Sequence, residues 1–451
     1  MSLFNGRRLP DEVFKLDVER MRRGWYSDKY FENVGRMLAA LAREGYRLRG
    51  EYSLLRERGI DPAGLDVGNM VVEMQWFTRR KPFALVAGVD KALSMLRQCT
   101  GYFDEAGRFI HTYEHLEVEA VQDGVIVPYQ GDPMDVRPVL KVRGRYRDFA
   151  LLETPTLGAL SRGSRIATNV YHTLVAARGK PVLFFPARFD AHEVQAMDGY
   201  AYEIAVERFN YDYGKRLTPY VSTDAQGDWW GGAGGGTVPH AVIACFTGDL
   251  PEAMLAFAAT IPPHIPRIAL VDFRNDSVSD SLATARAMFG RHMELLEAGL
   301  GEEARRYILF GVRLDTSESV RDVSVPPLGD RTLDCGVNPR LVWIVREALN
   351  RAWESWDIPE RWRESARDYC RNIRIVVSGG FGPEKIRRFE ELGVPADIYG
   401  VGSSLLSNCS TCGTNTDFTA DVVRVQVRGE WVDMAKVGRR ACENPDLERV
   451  S

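Results

Sequence analysis

The chain has 451 residues, of which 45% are hydrophobic and 27% charged, and its formal charge is −4. That length suits two or three domains with a large core, and the slightly acidic balance argues against nucleic-acid binding, which wants a basic surface. No apolar run approaches the roughly 20 residues of a membrane helix, and the opening MSLFNGRRLP lacks the apolar core of a signal peptide. Seven scattered cysteines suit a reducing compartment. A cytoplasmic protein with neither membrane nor nucleic acid as partner is expected.

The first 150 residues have α+β texture. In residues 30–45, Phe31, Val34, Met37, Leu38 and Leu41 recur at helical spacing and predict one apolar side. NMVVEMQWF (69–77) and VIVPYQG (125–131) read as strands. His111 and His115 are four apart within FIHTYEHLEVEAV, which reads as half-buried strand with no metal role.

From about residue 165, short apolar runs alternate with helical segments. Runs at 181–188, 240–246, 267–273, 307–315, 373–380 and 397–403 predict strands, and residues 279–299 and 338–356 predict helices. Such alternation implies a parallel sheet, open or closed into a barrel. Six clear strands fall short of the eight of an ideal barrel. DVVRVQVRGEWVDMAKVG (421–438) alternates about an Arg-Gly turn, as a hairpin does.

The strongest local chemistry is at residues 375–406. One strand runs into Ser378, Gly379, Gly380 and Gly382, with Pro383 and Glu384 opening a helix; the next ends in Gly400, Val401, Gly402 and Ser403. Glycines let backbone approach an anion, and helix N-termini aim free N–H groups at it. A single pair of glycines would read as a tight turn. Two such turns on successive strands match the phosphate site that barrels build from their last two βα loops. Arg313 and Asp315 share one side of a strand. They suit an anionic ring and a ribose diol, or a structural salt bridge. Arg162 and Arg165 share a helix face, as a pyrophosphate clamp or as a solvated surface. In YSDKYF, Tyr30 either stacks on a planar ring or belongs to an ordinary helix start. Five glycines and an alanine fill the six positions before Thr237, and His240 follows. Cys409-x-x-Cys412 has zinc-ligand spacing, with Cys442 as a third candidate. No second such pair or nearby histidine completes a set, so two reduced cysteines in a loop are expected and zinc is the weaker reading.

In order along the chain, YSDKYF, LLETPTLGALSRGSRIAT, GTVPHAVI, IALVDF, VRLD, VVSGGFGPEKI and IYGVGSSLL resemble the nicotinate phosphoribosyltransferase family over nearly the whole length. The resemblance implies an irregular TIM-like α/β barrel of the quinolinate phosphoribosyltransferase type. An α+β domain built from the N- and C-terminal segments would adjoin it. The expected parts are residues 1–155, the barrel at 156–406, and a β segment at 407–451 returning to the first domain. The implied reaction joins nicotinate to phosphoribosyl pyrophosphate with Mg²⁺ present, ATP hydrolysis being coupled through a phosphohistidine. The implied assembly is a homodimer with shared active sites.

Carried over residue by residue, His240 matches the phosphorylated position, Arg313 the ring and carboxylate ligand, and Asp315 the ribose ligand. Ser378, Gly379, Gly380, Gly400, Gly402 and Ser403 match the 5′-phosphate turns. Tyr30 matches an aromatic that stacks on the base, commonly from a neighbouring subunit, and Phe185 and Arg188 match the base pocket. Thr237, Glu153, Arg165 and Asp272 are further substrate-binding candidates. The glycines before His240 are expected to clear side chains away from crowded phosphoryl groups. Pro186, Phe189, the Thr316-Ser317-Glu318 run and the loop 407–418 depart from the family pattern. They leave nicotinamide or quinolinate open as the ring, and a non-catalytic phosphate-binding barrel as the alternative.

Overall fold

In the computed structural model, which describes residues 6–450, the chain forms two main sheets and the helices that cover them. Val71–Thr78 is buried at all but its first residue, because it runs in the middle of an antiparallel sheet. It pairs with Phe418–Val427 on one side and Leu140–Arg145 on the other, so that Val72 faces both Val425 and Gly144. The six-stranded order is Glu430–Asp433, Phe418–Val427, Val71–Thr78, Leu140–Arg145, Glu117–Ala120, Glu448–Arg449. The last strands of the chain thus extend a sheet begun by the first. The predicted hairpin is present, and Arg428 and Gly429 at its turn both have positive φ, 52° and 91°. Such a turn matches the right-handed twist of its flanking strands.

The second sheet is parallel, in the order Val182–Phe184, Ile398–Val401, Arg374–Val377, Gly311–Leu314, Ile268–Leu270. Helices intervene between successive strands, as at Ser277–Glu297 and Pro339–Arg351. Beyond Phe184 the curl continues through two single bridges, Phe184 to Val221 and Val221 to Gly234. This is the irregular barrel that the family resemblance implied, with an unpaired seam between Gly234 and Ile268 among the described residues.

One predicted strand is wrong. Residues 240–246 are not a strand: His240–Cys245 is a short helix with only Ile243 buried. A short apolar run fits either structure by pattern alone. Gly234 has already taken the place beside Val221 when the chain reaches His240. The stretch 109–121 is likewise broken. Phe109–His111 is a strand, Tyr113–His115 a 3-10 turn and Glu117–Ala120 a strand, and both His111 and His115 lie beside Glu114. In the helix Lys29–Arg43, Phe31 and Leu38 are buried as predicted, but Met37 is exposed.

The 24-residue helix Glu153–Ala176 ties the two sheets together. Its small and hydroxylated residues allow this. Trp76 Nε1 donates to Thr156 Oγ1 at 3.2 Å, Ala87 N to Ser164 Oγ at 3.1 Å, and Leu85 N to Thr168 Oγ1 at 2.9 Å. On the barrel side, Asn169 Nδ2 donates to the carbonyls of Leu405 and Ser407 at 3.1 and 2.9 Å. At Gly163 the helix comes so close that an added Cβ would lie 2.5 Å from the Ala87 carbonyl oxygen. Gly163→Ala is therefore expected to destabilise the fold by about 1–3 kcal/mol despite the better helix propensity of alanine. Urea denaturation should give a lower midpoint at unchanged slope.

Candidate active site

Alternation along the parallel strands decides what meets at the barrel mouth. Leu183, Ile268, Val376 and Ile398 form a small inner cluster with Phe185, Tyr220 and Phe310 against it. Val312, Leu314, Ile375, Val377, Tyr399 and Val401 point the other way, into the main core under the helices. Two residues on from the inner set, Phe185, Ser378 and Gly400 emerge at the C-terminal ends of their strands. Arg313 and Asp315 emerge by the same rule. They wall a cavity of about 1040 Å³.

Three side chains there close a triangle. Arg313 Nε donates to Ser378 Oγ at 2.8 Å, an Arg313 Nη donates to Asp315 Oδ2 at 3.1 Å, and Ser378 Oγ donates to Asp315 Oδ1 at 2.7 Å. The guanidinium carbon sits 5.2 Å from the centre of the Phe185 ring, a cation–π arrangement. A planar guanidinium held by two bonds and backed by an aromatic face is preorganised for a carboxylate.

The two glycine turns lie side by side across this triangle. Gly379 and Gly380 have φ of +84° and +64°, a region that suits glycine. A Cβ on Gly380 would collide with the Glu318 carboxylate, and one on Gly400 would lie 2.8 Å from the Phe185 ring. Gly382 caps the nine-residue helix Pro383–Glu391, whose first position takes proline without losing a hydrogen bond. Gly402 and Ser403 complete the second turn, and Ser404 Oγ donates to the Phe381 carbonyl at 2.9 Å, linking the turns.

His240 stands on the opposite wall, 46% exposed, with Nε2 at 2.9 Å from Asp272 Oδ1. An ionised carboxylate only accepts, so Nε2 carries the hydrogen and Nδ1 keeps its lone pair in the neutral ring. Burial pushes the Asp272 carboxyl upward, against the lowering effect of the His240 hydrogen bond. The glycine run before it works differently from the expectation. Cβ atoms at Gly232, Gly234 and Gly235 would strike the Trp230 ring, the Thr223 backbone and the Tyr220 ring; only Gly236, with open space around it, faces the cavity unhindered. Most of these glycines serve loop packing.

Of the predicted site residues, Phe185, Arg188, Thr237, His240, Arg313, Asp315, Ser378, Gly379, Gly380, Gly400, Gly402 and Ser403 line the cavity, and Asp272 stands behind His240. Tyr30, Glu153 and Arg165 are not among its walls. Tyr30 is 59% exposed on the helix Lys29–Arg43, with its hydroxyl 3.4 Å from Asp28. Arg162 is held by Asp190 and Asp198, both at 2.7 Å, so it belongs neither to a solvated face nor to a free clamp. Arg165 is partly buried beside it, its Nε without a hydrogen bond. Tyr220, Ser222, Ser404 and Ser407 also line the cavity and were not anticipated. Val221 contributes only single bridges, too little for a periodic signal to mark Tyr220 and Ser222.

The reduced-cysteine expectation is corrected. Cys409 and Cys412 form a disulfide, their Cα atoms 5.4 Å apart, because the C-x-x-C turn brings them within bonding reach. Cys442 is buried, with its thiol near the Met134 carbonyl. No group of three metal-ligating side chains occurs among the described residues. No helix among them is long and apolar enough to cross a membrane.

No family model matches the chain. Among solved structures, nicotinate-nucleotide pyrophosphorylase from Pyrococcus furiosus aligns with 96% of this chain and 85% of its own, at 25% identity and a TM-score of 0.60. By its fold the chain belongs to the nicotinate and quinolinate phosphoribosyltransferase superfamily. Human nicotinic acid phosphoribosyltransferase aligns over 79% of this chain and 71% of its own at 18% identity and a TM-score of 0.49. The nicotinate-nucleotide pyrophosphorylase from Francisella tularensis covers 94% and 100% at 12% identity and a TM-score of 0.47.

Glu153 lies outside the cavity but in an unusual setting. Burial, with Asp421 and Asp28 adding to it, raises its carboxyl to about 8. The folded state thus holds a proton that the unfolded chain releases near the ordinary glutamate value. The fold should lose stability as pH rises from about 4.5 to about 8, by at most roughly 1.4 kcal/mol for each pH step of one across that window. Glu153→Gln should flatten that decline, as measured by denaturation at pH 5 and pH 9.

Proposed function

We propose that the protein is a nicotinate phosphoribosyltransferase. It would form nicotinate mononucleotide and pyrophosphate from nicotinate and phosphoribosyl pyrophosphate in NAD biosynthesis, with ATP hydrolysis coupled through His240. One observation carries this reading. Two adjoining glycine turns, the Arg313–Ser378–Asp315 triangle and His240, backed by Asp272, border a single cavity. The superfamily likeness supports phosphoribosyl transfer to a pyridine.

The roles follow from the chemistry. The 5′-phosphate lies on the backbone of Gly379–Gly380 and Gly402–Ser403, whose N–H groups suit an anion. The base lies against Phe185 with its carboxylate on Arg313. Arg188 and Arg313 are the arginines of the cavity wall, enough for one carboxylate and part of the pyrophosphate. That count favours nicotinate over the dicarboxylate quinolinate, and the charge favours it over neutral nicotinamide. The likeness to a nicotinate-nucleotide pyrophosphorylase keeps quinolinate as the second reading. At the transition state positive charge develops on the ribose as pyrophosphate departs. The Asp315 carboxylate, fixed by Ser378 and Arg313, stabilises that charge without reorganising. His240 offers Nδ1 to the γ-phosphorus of ATP while Asp272 holds the Nε2 hydrogen.

The donor set also fits a magnesium ion. Asp315 and Glu318 present carboxylate oxygens beside the turns, and Mg²⁺ takes one or two carboxylates together with substrate phosphates. When bound it neutralises pyrophosphate charge. Tyr30, exposed and outside the cavity of its own chain, fits a homodimer in which it stacks on the base in the partner's site. Five unpaired cysteines support a cytoplasmic location.

The test is incubation with nicotinate, nicotinamide or quinolinate together with phosphoribosyl pyrophosphate, Mg²⁺ and ATP. Nicotinate mononucleotide is expected from nicotinate, and no product from any of the three rings overturns the reading. Asp315→Asn should lower kcat by roughly 10²-fold with little change in nicotinate KM. His240→Ala should leave a basal transfer that ATP no longer stimulates.

A further inference from the structure

Residues 407–418 follow the turn Ser403–Leu406 directly and take no part in the proposed reaction. They are nevertheless wired to it. Ser407 lines the cavity, its carbonyl accepts from Asn169 Nδ2 at 2.9 Å, and its hydroxyl lies 2.9 Å from Thr414 Oγ1. Thr414 Oγ1 accepts from Cys409 N at 2.8 Å, while Thr414 N and Asn415 N donate to the Cys409 carbonyl at 2.9 and 3.1 Å. The Cys409–Cys412 disulfide closes the ring from which these bonds radiate. Arg80, itself buried, anchors the far end through Thr416 Oγ1 at 3.2 Å and reaches Asn169 Oδ1 at 3.2 Å. From disulfide to phosphate turn there are thus two side-chain contacts, Thr414 and Ser407.

The pair is built to change state. Cys412 is exposed and Cys409 half-buried, so a soluble thiol can reach the bond. The ring spans three residue steps, so its cross-link removes little chain entropy and is a poor candidate for a purely stabilising staple. The other five cysteines are free, and exposed disulfides among free thiols belong to the labile kind. In the disulfide form Cys409 Sγ already lies 3.1 Å from the Cys412 N and 3.2 Å from the Thr411 hydroxyl, donors suited to a thiolate there when the bond opens.

We propose that Cys409 and Cys412 form a reversible dithiol–disulfide site that sets the order of the second phosphate turn. The ligand consequence rests on the phosphate assignment made under the proposed function. The reductant is a dithiol. Its thiolate attacks the exposed Cys412 sulfur, the S–S bond breaks and Cys409 leaves as a thiolate. The reductant's second thiol then closes on its own sulfur and releases Cys412. Two electrons pass to the protein pair, the reductant becomes a cyclic disulfide, and its two thiol protons end on Cys409 and Cys412. With the ring open, Thr414 is no longer fixed and Ser407 loses its support. The turn Ser403–Leu406 then loses more ordering entropy on binding a phosphate.

The experiment compares the full chain before and after treatment with dithiothreitol. Thiol labelling should gain two sites on reduction. Hydrogen exchange should quicken across residues 402–416. The dissociation constant for phosphoribosyl pyrophosphate, by calorimetry, should rise about fivefold or more, at the low end of coupling between sites. The double variant Cys409→Ser/Cys412→Ser should match the reduced protein with or without dithiothreitol. Three results overturn the proposal: unchanged exchange at 402–407 on reduction, equal affinity in both states, or stoichiometric zinc on the cysteines of the isolated protein. If exchange quickens on reduction but phosphoribosyl pyrophosphate binds in neither state, the redox-linked loop stands and the phosphate assignment falls.

Discussion

One geometric constraint underlies the site: five short parallel strands share a register in which alternate residues face the barrel interior. Gly311 pairs with Arg374 and with Ile268, Val376 with Ile398, and Val401 with Phe184. With strands of three or four residues, one inner residue fills the barrel and the next stands at the mouth. Arg313 and Asp315 on one strand, and Ser378, Phe185 and Gly400 on three others, meet because each follows this rule. A slip of one residue on any strand would turn its mouth residue under the helices. The apolar residues of the opposite parity, Val312, Leu314, Ile375, Val377, Tyr399 and Val401, are fully buried or nearly so, and their burial holds the register.

The second support is the helix Glu153–Ala176. Its interior positions are mostly small or hydroxylated, so it can approach backbone on several sides. Ser164 and Thr168 meet the backbone of residues 85–87, and Asn169 meets the turn Ser403–Leu406. A bulkier helix would separate the antiparallel sheet from the barrel. The same helix therefore fixes both the inter-sheet distance and the rear of the site, and Arg80 ties these contacts to the loop after the turn.

Electrostatic order at the mouth comes from pairing. Asp315 is matched to Arg313 and Ser378, and Asp272 to His240. Each carboxylate has a partner that fixes its direction. A site of this kind loses little in reorientation when a charged substrate arrives, the condition under which fixed dipoles and charges lower a barrier most. Arg162 has the opposite fate, since Asp190 and Asp198 consume its donors in packing.

Most of the barrel was legible in the sequence because five of its strands are apolar runs bounded by glycine or charge, and a buried parallel strand cannot look otherwise. The parity of Arg313 and Asp315 was equally plain, since it needs only the two-residue repeat of a strand. The run at 240–246 misled because six apolar residues do not distinguish strand from helix, and the decision lay with Gly234, already seated beside Val221. Local patterns fixed the strands, the hairpin and the glycine turns, whose determinants lie within a few residues of one another. The tertiary structure decided what spans the chain. Asp272 is the partner of His240, Tyr220 and Ser407 are cavity walls, the glycines before His240 are packing residues, and Cys409 is bonded to Cys412. These depend on which strand closes beside which, and no local spacing encodes that contact.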